Sequence, residues 1–455
     1  MALASGLEDR LRRLVRRASY EQLLNEPEAG EVDEGLAYEA EEPGLPFSWL
    51  EYSVFLWLGV SMLWAWNMFL AAAPYFQLRF ASNTWALTNF QSCILSISCF
   101  TNLASILILA KLQKSASYPR RINSSLVLNI IIFSLLALSA IAFRNVPVPV
   151  YFAFLMAMVF GASLATGFNQ NGVFAYVAGF GRSEYTQAVM AGQGVAGVLP
   201  CIVQIASVLA VPEKSEKVTD ESIQNTSAKS AFAFFVTAVA VSATAFFAFL
   251  FLMRQKQILL RTPLSIEPEE SEATPTRKPV PLWTLFKKLR WMALAVYLCF
   301  AITMAYPVFT AQIQSVHPKD SLPRLLQSSI FIPLALLFWN TGDLVGRLIL
   351  LIPQINMTHR PFMLFLFSIA RIIFIPLYML CNIHGRGAWI NSDTFYLVIV
   401  QFLFGATNGY IGGSCMMGAA EWVDVDEREA AGGFMGFMLV AGLSTGSLLS
   451  FFVAG

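Results

Sequence analysis

Eleven stretches of apolar residues, each long enough to cross a bilayer, dominate this chain and leave little else for it to fold into. A hydrocarbon core of about 30 Å takes about 20 residues of helix, because in lipid every backbone N–H and C=O must be satisfied within the segment itself. The stretches run over 51–73, 86–110, 124–143, 149–178, 184–210, 230–252, 291–314, 325–352, 362–382, 395–420 and 430–455. Composition points the same way. Of the 455 residues 56% are hydrophobic, 13% are charged and 38 are Phe, and no soluble fold of this size can hide so large an apolar fraction. The expected fold is an all-α membrane protein of eleven transmembrane helices.

Charge divides the chain. Residues 1–46 read as a disordered tail, basic at Arg10, Arg12, Arg13, Arg16 and Arg17 and acidic from Glu26 to Glu42, with no apolar core for a signal peptide and a weak dileucine-like stretch at Ser19 to Leu24. Residues 47–252 carry six spans, 253–290 form a linker loop with an acidic run from Glu267 to Pro275 between Lys and Arg clusters, and 291–455 carry five spans. The positive-inside rule places the N-terminus and the linker in the cytoplasm and Gly455 on the far side. Asn225-Thr226-Ser227 then falls on the far side as a glycosylation sequon, whereas Asn123-Ser124-Ser125 and Asn356-Met357-Thr358 face the cytoplasm.

Several function classes drop out. Thirty Lys+Arg against 29 Asp+Glu give no basic excess for nucleic acid. All six cysteines lie in apolar runs without a CxxC pair or clustered His, so they read as buried thiols, with no metal and no cofactor expected. GxSxG, Walker A and HExxH motifs are absent and the three His fall between spans, so an enzyme is not expected.

One carboxylate sits deep in an apolar span. Asp343, within Phe338 to Arg347, costs about 2.5 to 3.5 kcal/mol to insert, which marks it for a task. The i, i+4 spacing puts Arg347 on the same helical face, and together they offer the acceptors and the guanidinium fork that suit a vicinal diol. The alternative is an ion pair that only fixes helix packing. Trp66-Asn67 supplies a flat ring for stacking on a base and an amide beside it, with core packing as the alternative for Trp66. Asn171, before Gly172, can donate and accept at once, as a base edge requires, or can join two helices. Arg371 is expected to meet a backbone carbonyl or a loop carboxylate and hold the fold. Glycines crowd the fourth, fifth and last two spans, among them Gly167, Gly192, Gly194, Gly409 and Gly432. Small residues let helices approach and slide, which favours a transporter over an inert anchor.

Taken in order, Trp66-Asn67, Tyr185-Thr186 ahead of Met190 to Gly197, Asn340 to Arg347, Arg371 to Leu377 with Cys381-Asn382, and Asn408-Gly409-Tyr410 with Ala431-Gly432 and Gly442-Leu443 resemble the equilibrative nucleoside transporter family, the solute carrier family 29 type, over about residues 50–455. The resemblance implies a fold related to the major facilitator superfamily, split six plus five, that moves nucleosides such as adenosine or uridine downhill by alternating access. It assigns Asp343 and Arg347 to the ribose hydroxyls, Trp66 to the base, Asn171 to the base edge and Tyr306, ahead of Pro307, to the site wall. Asn67, Gly167, Gly192, Asn340 and Arg371 would serve structure or gating. Two departures stand out: Trp64-Ala65 replaces the family's Leu-Pro ahead of Trp66, and Asn171 replaces a glutamine, with Gln170 one residue earlier. The acidic tail is similar to that of fungal intracellular members, so a monomer in the vacuolar membrane is expected. A proton-coupled carrier of another polar solute would ask for several intramembrane carboxylates. A receptor would have no use for two glycine-rich halves around one charged pair.

Overall fold

The computed structural model describes residues 47–113, 116–143, 145–210, 220–261, 279–304, 306–318 and 323–453. The tail over 1–46 and the acidic run from Glu267 to Pro275 lie outside the described residues. The described chain is helical, in the order α1 Trp49–Ala71, α2 Ala73–Phe80, α3 Thr84–Lys111, α4 Tyr118–Ala142, α5 Val148–Ala178, α6 Ser183–Ala210, α7 Asp220–Arg261, α8 Leu282–Thr303, α9 Tyr306–Gln312, α10 Ser328–Ile349, α11 Pro361–Ala370, α12 Phe374–Met379, α13 Leu403–Gly418 and α14 Arg428–Val453. A π-helical stretch, Phe395–Phe402, leads into α13.

Ten segments are long and apolar enough to cross a membrane among the described residues, with α1–α2, α8–α9 and α11–α12 each counting as one. The sequence gives eleven candidates, and the difference is α10. Its 22 residues suffice to span at 1.5 Å per residue, and Asn340, Asp343 and Arg347 lie along it.

Proline sets the breaks. With Ala65 in place of proline, α1 runs unbroken past Trp66 and yields only at Ala72, ahead of Pro74 at the start of α2. The linker is shorter than the sequence implies, because α7 continues to Arg261 and α8 begins at Leu282. Arg254, Lys256, Lys287, Lys288 and Arg290 thus stand on helix ends, where long cationic side chains reach the interface while their stems stay in apolar surroundings. Lys256 also meets Glu51 of α1 at 3.2 Å. The expectation of six buried thiols holds for four; Cys93 and Cys99 are half-buried on α3, which turns Phe100 (79% exposed) outward. The Asn225 sequon falls in the first turns of α7.

The helices alternate in direction and give the bundle two ends. Trp49, Trp283 and Trp422 are exposed at one end, and Trp85 and Trp389 at the other, the interfacial depth that amphipathic indoles favour. At the Trp85 end Arg324 caps the Val208 carbonyl at 3.0 Å, and Ile313 pairs with Ile383 in an isolated antiparallel bridge. Among the first seven helices α1 packs on α6 and α4 on α7; among the later ones α10 packs on α13 and α8 on α14. Between these groups α6 meets α10, and α14 meets α5 and α3.

Candidate functional site

The site begins where α10 and α13 touch. Gly342 and Gly346 on α10 interlock with Gly405 and Gly409 on α13, and a Cβ at any of them would collide with a backbone carbonyl, those of Phe402, Ala406, Trp339 and Asp343 respectively. Two facing small-xxx-small pairs bring the backbones into contact, the closest approach helices make in lipid. That contact sets Asn408 beside Asp343, and its Nδ2 donates to Asp343 Oδ1 at 2.7 Å.

Asp343 and Arg347 are each 4% exposed. Arg347 Nε lies 2.8 Å from Asp343 Oδ2, one turn along α10, without aiming its hydrogen at the oxygen. The guanidinium turns instead toward α6, where Nη1 donates to the Met190 carbonyl at 2.5 Å and to Gln193 Oε1 at 3.1 Å. Nη2 has no hydrogen-bond partner among the described residues. The main chain of the same residue is held too, since Gln187 Nε2 donates to the Arg347 carbonyl at 3.2 Å and receives the Tyr52 hydroxyl on its Oε1 at 2.8 Å. Each carboxylate oxygen keeps acceptor capacity beyond its single partner.

A second guanidinium supports the first layer from behind. Arg371, 1% exposed, donates from Nη1 to the Cys299 carbonyl at 2.5 Å and from Nη2 to Thr303 Oγ1 at 3.0 Å and the Phe404 carbonyl at 3.3 Å. Its Nε reaches Thr407 Oγ1 at 3.2 Å and its face covers the Phe404 ring. Thr303 Oγ1 in turn lies 2.7 Å from Asn408 Oδ1. The chain of polar contacts therefore runs Arg371, Thr303, Asn408, Asp343, Arg347, and crosses α8, α13 and α10. Such a network stays stable in a low-dielectric interior only when nearly every member is satisfied.

The remaining residues singled out in the sequence divide into two neighbourhoods. Asn340 donates to the Leu336 carbonyl at 2.9 Å, and its Oδ1 presses on Gly197 of α6. One residue before Gly197, the Ala196 carbonyl accepts from Asn67 Nδ2 at 2.7 Å, which ties the Trp66 turn of α1 to this level. Gly192 lets α6 rest on the Leu56 carbonyl of α1. Tyr306 stacks on Trp339 with centroids 4.5 Å apart and planes 5° off parallel, one turn from Asp343. Asn340, Asn67, Gly192 and Tyr306 converge around α1, α6 and α10, whereas the Trp66 ring packs against the core formed by α1–α5 and α7. Asn171 and Gly167 belong instead to the packing of α5. Arg121 Nη1 donates to Asn171 Oδ1, Asn171 Nδ2 approaches Gly433 of α14, and Gly167 sits against Ser105 of α3. Gln170 accepts from Asn102 Nδ2 at 3.3 Å.

Sequence reasoning missed Asn408 and Thr303 as members of the site. Asn408 carried a usable signal, an amide inside an apolar span beside Gly409; Thr303 carried none, since a threonine in a membrane helix commonly bonds its own helix.

Comparison with known proteins agrees with this architecture. A family model described as Nucleoside transporter matches residues 155–454. The nucleoside transporter FUN26 of Saccharomyces cerevisiae is 31% identical over 450 residues, covering 88% of this chain and 83% of that protein. Human equilibrative nucleoside transporter 1 is 26% identical over 462 residues, covering 88% of this chain and 95% of its own length. Among solved structures, the fucose:proton symporter FucP of E. coli superposes with a TM-score of 0.55 at 14% identity over 89% of this chain and 97% of its own. The human organic anion transporter MFSD10 gives 0.53 at 12% identity over 89% of this chain and 93% of that one. Those two structural likenesses carry the fold alone, a major facilitator architecture. The matched family model and the similarity to FUN26 along nearly the whole chain show that this protein belongs to the nucleoside transporter family.

Proposed function

We propose that the chain carries nucleosides downhill across a membrane by alternating access, with the substrate between the six spans of residues 47–252 and the five of 291–455. The observation that carries this reading is the buried Asp343–Arg347 pair in α10, fixed from behind by Asn408 and Arg371 yet left with unused acceptor sites on the carboxylate and a free Nη2 on the guanidinium. A ribose offers two adjacent hydroxyls, each able to donate to one group and accept from another, which matches that unused capacity. Trp66 stacks on the base and Tyr306, held flat by Trp339, closes the side of the site. Asn171 would reach the base edge only by turning its Nδ2 away from Gly433 of α14, since Arg121 engages its Oδ1. Nucleobases are the nearest alternative cargo and would use the base contacts alone.

The basic residues at the Trp49 end support a cytoplasmic N-terminus and a lumenal or extracellular C-terminus. With α10 counted, the spans number eleven. A monomer in the vacuolar membrane is the reading that follows from the resemblance of the acidic tail to that of fungal intracellular members.

The test is uptake of labelled uridine and adenosine into proteoliposomes. Wild type takes up both until inside and outside concentrations match, and handles a 2′,3′-dideoxy analogue poorly. Equal handling of dideoxy and ordinary nucleosides would remove the ribose role from Asp343 and Arg347.

A further inference from the structure

At the Trp49 end, α8 changes from a basic turn, Lys287 to Arg290, to an apolar run that begins at Met292. A cavity of about 360 Å³ opens at that boundary. It is lined by Lys287, Lys288, Arg290, Trp291 and Trp422 together with Leu289, Met292 and Pro361, and no carboxylate is among the lining residues. Lys288 is already committed, to Asp424 Oδ2 at 2.7 Å and Glu427 Oε2 at 2.6 Å. Lys287 and Arg290 are exposed and have no acidic partner among the described residues; each meets only an indole, Trp283 at 5.7 Å and Trp291 at 5.2 Å. The apolar wall is itself fixed, since Trp291 packs edge-on to Phe362 at 4.9 Å and Trp422 Nε1 donates to the Thr358 carbonyl at 3.2 Å.

We propose that this cavity binds the headgroup of an anionic phospholipid, with the phosphate held by Lys287 and Arg290 and the glycerol region resting on Trp291 and Trp422. Two features favour a lipid over a soluble anion. The cations sit at the depth where indoles mark the membrane interface, and half of the wall is apolar surface for which a free phosphate has no use. Basic pockets between membrane helices are where anionic headgroups bind, and each cation near the surface contributes a factor of about five to the affinity. The assignment does not depend on what the protein transports.

The purified full chain in detergent is titrated with phosphatidylserine, phosphatidylcholine and glycerol 3-phosphate, and bound lipid is counted by native mass spectrometry. Wild type is expected to retain phosphatidylserine in preference to phosphatidylcholine. The double variant Lys287→Gln, Arg290→Gln should weaken phosphatidylserine roughly 30-fold, leave phosphatidylcholine unchanged and keep nucleoside uptake. The charge-conserving pair Lys287→Arg, Arg290→Lys should retain the preference, which separates loss of charge from damage to the fold. Unaltered phosphatidylserine binding in the Gln double variant overturns the proposal. Displacement by glycerol 3-phosphate at similar concentration would make this a free-anion site and also overturn it. So would phosphatidylserine binding that emerges only after Glu267, Glu269, Glu270 and Glu272 are changed to Gln, because the occupant would then be the chain's own acidic run.

Discussion

Asn408 Nδ2 donates to Asp343 Oδ1 across 2.7 Å, joining α13 to α10 where four glycines let the two backbones touch. Among the described residues this amide is the only donor aligned on the carboxylate, and it is itself oriented by Thr303 and, through it, by Arg371. The charged pair is thus positioned from outside its own helix.

Replacing Asn408 with Ala should therefore weaken nucleoside uptake by roughly ten- to hundredfold, the range expected for losing a hydrogen bond to a buried charged group. Asn408→Asp should be worse, since it sets a second carboxylate against Asp343. Proteoliposome uptake alongside a thermal-unfolding scan checks this; full uptake in Asn408→Ala would show that Asp343 holds its position without the amide.

Breaking the pair itself separates two roles. Asp343→Asn and Arg347→Ala should each abolish most uptake while leaving a folded protein. If instead both aggregate, the pair's main work is structural, as removing one partner of a buried ion pair commonly costs about 3 to 5 kcal/mol.

Close approach makes a sharper contrast between glycines than their number does. Gly409→Ala forces a methyl into the Asp343 carbonyl and should lower both stability and uptake, because neither backbone can yield without parting the helices. Gly433→Ala meets a side-chain amide, Asn171 Nδ2, at 3.1 Å, and a small rotation of that amide accommodates it. A thermal-unfolding midpoint that falls several degrees further in Gly409→Ala than in Gly433→Ala is the expected result.

Base recognition should split by chemistry. Trp66→Ala is expected to weaken every nucleoside about equally, by ~1 to 3 kcal/mol, because stacking is indifferent to the base. Asn171→Ala should alter the ranking of adenosine, uridine and guanosine, since hydrogen bonds to the base edge are what distinguish them. Competition uptake with unlabelled nucleosides reads both, and an unchanged ranking in Asn171→Ala would leave that residue as the partner of Arg121 alone.

Acid should spare the bridge at the Trp49 end over the range of cellular compartments. The Lys288 ammonium, bonded to Asp424, holds that carboxyl below its ordinary 3.8. A depressed folded value means that the stabilising contribution is complete above about pH 4 and is lost only as pH falls through the folded value. The effect of Asp424→Asn on the unfolding midpoint should accordingly be the same at about pH 7 and about pH 5, and small at both because the pair is solvent-exposed.

Much of this protein was legible from residue order alone. Apolar length marked the long helices to within a few residues at most ends, since the bilayer imposes the length and the helix satisfies its own backbone. The i, i+4 spacing of Asp343 and Arg347 put them on one face, a consequence of local helical geometry that needs no partner. The breaks at Pro74 and near Pro307 also follow locally, from a missing N–H. At the linker the helices run beyond the apolar stretches, because α7 and α8 keep their helical hydrogen bonds while their charged side chains reach water.

What tertiary structure decided is which polar groups meet. Asn408, Thr303 and Arg371 lie on three different segments, and no spacing in the sequence links 303 to 371 or 408; only the stacking of α8 and α13 against α10 closes the network. Asn67 and Asn340 converge on consecutive residues of α6 for the same reason. Asn171, by contrast, reads in sequence as one more site amide, yet packing commits its oxygen to Arg121 of α4. Local periodicity fixes which face a side chain is on, but the chain has to fold before that face has a neighbour.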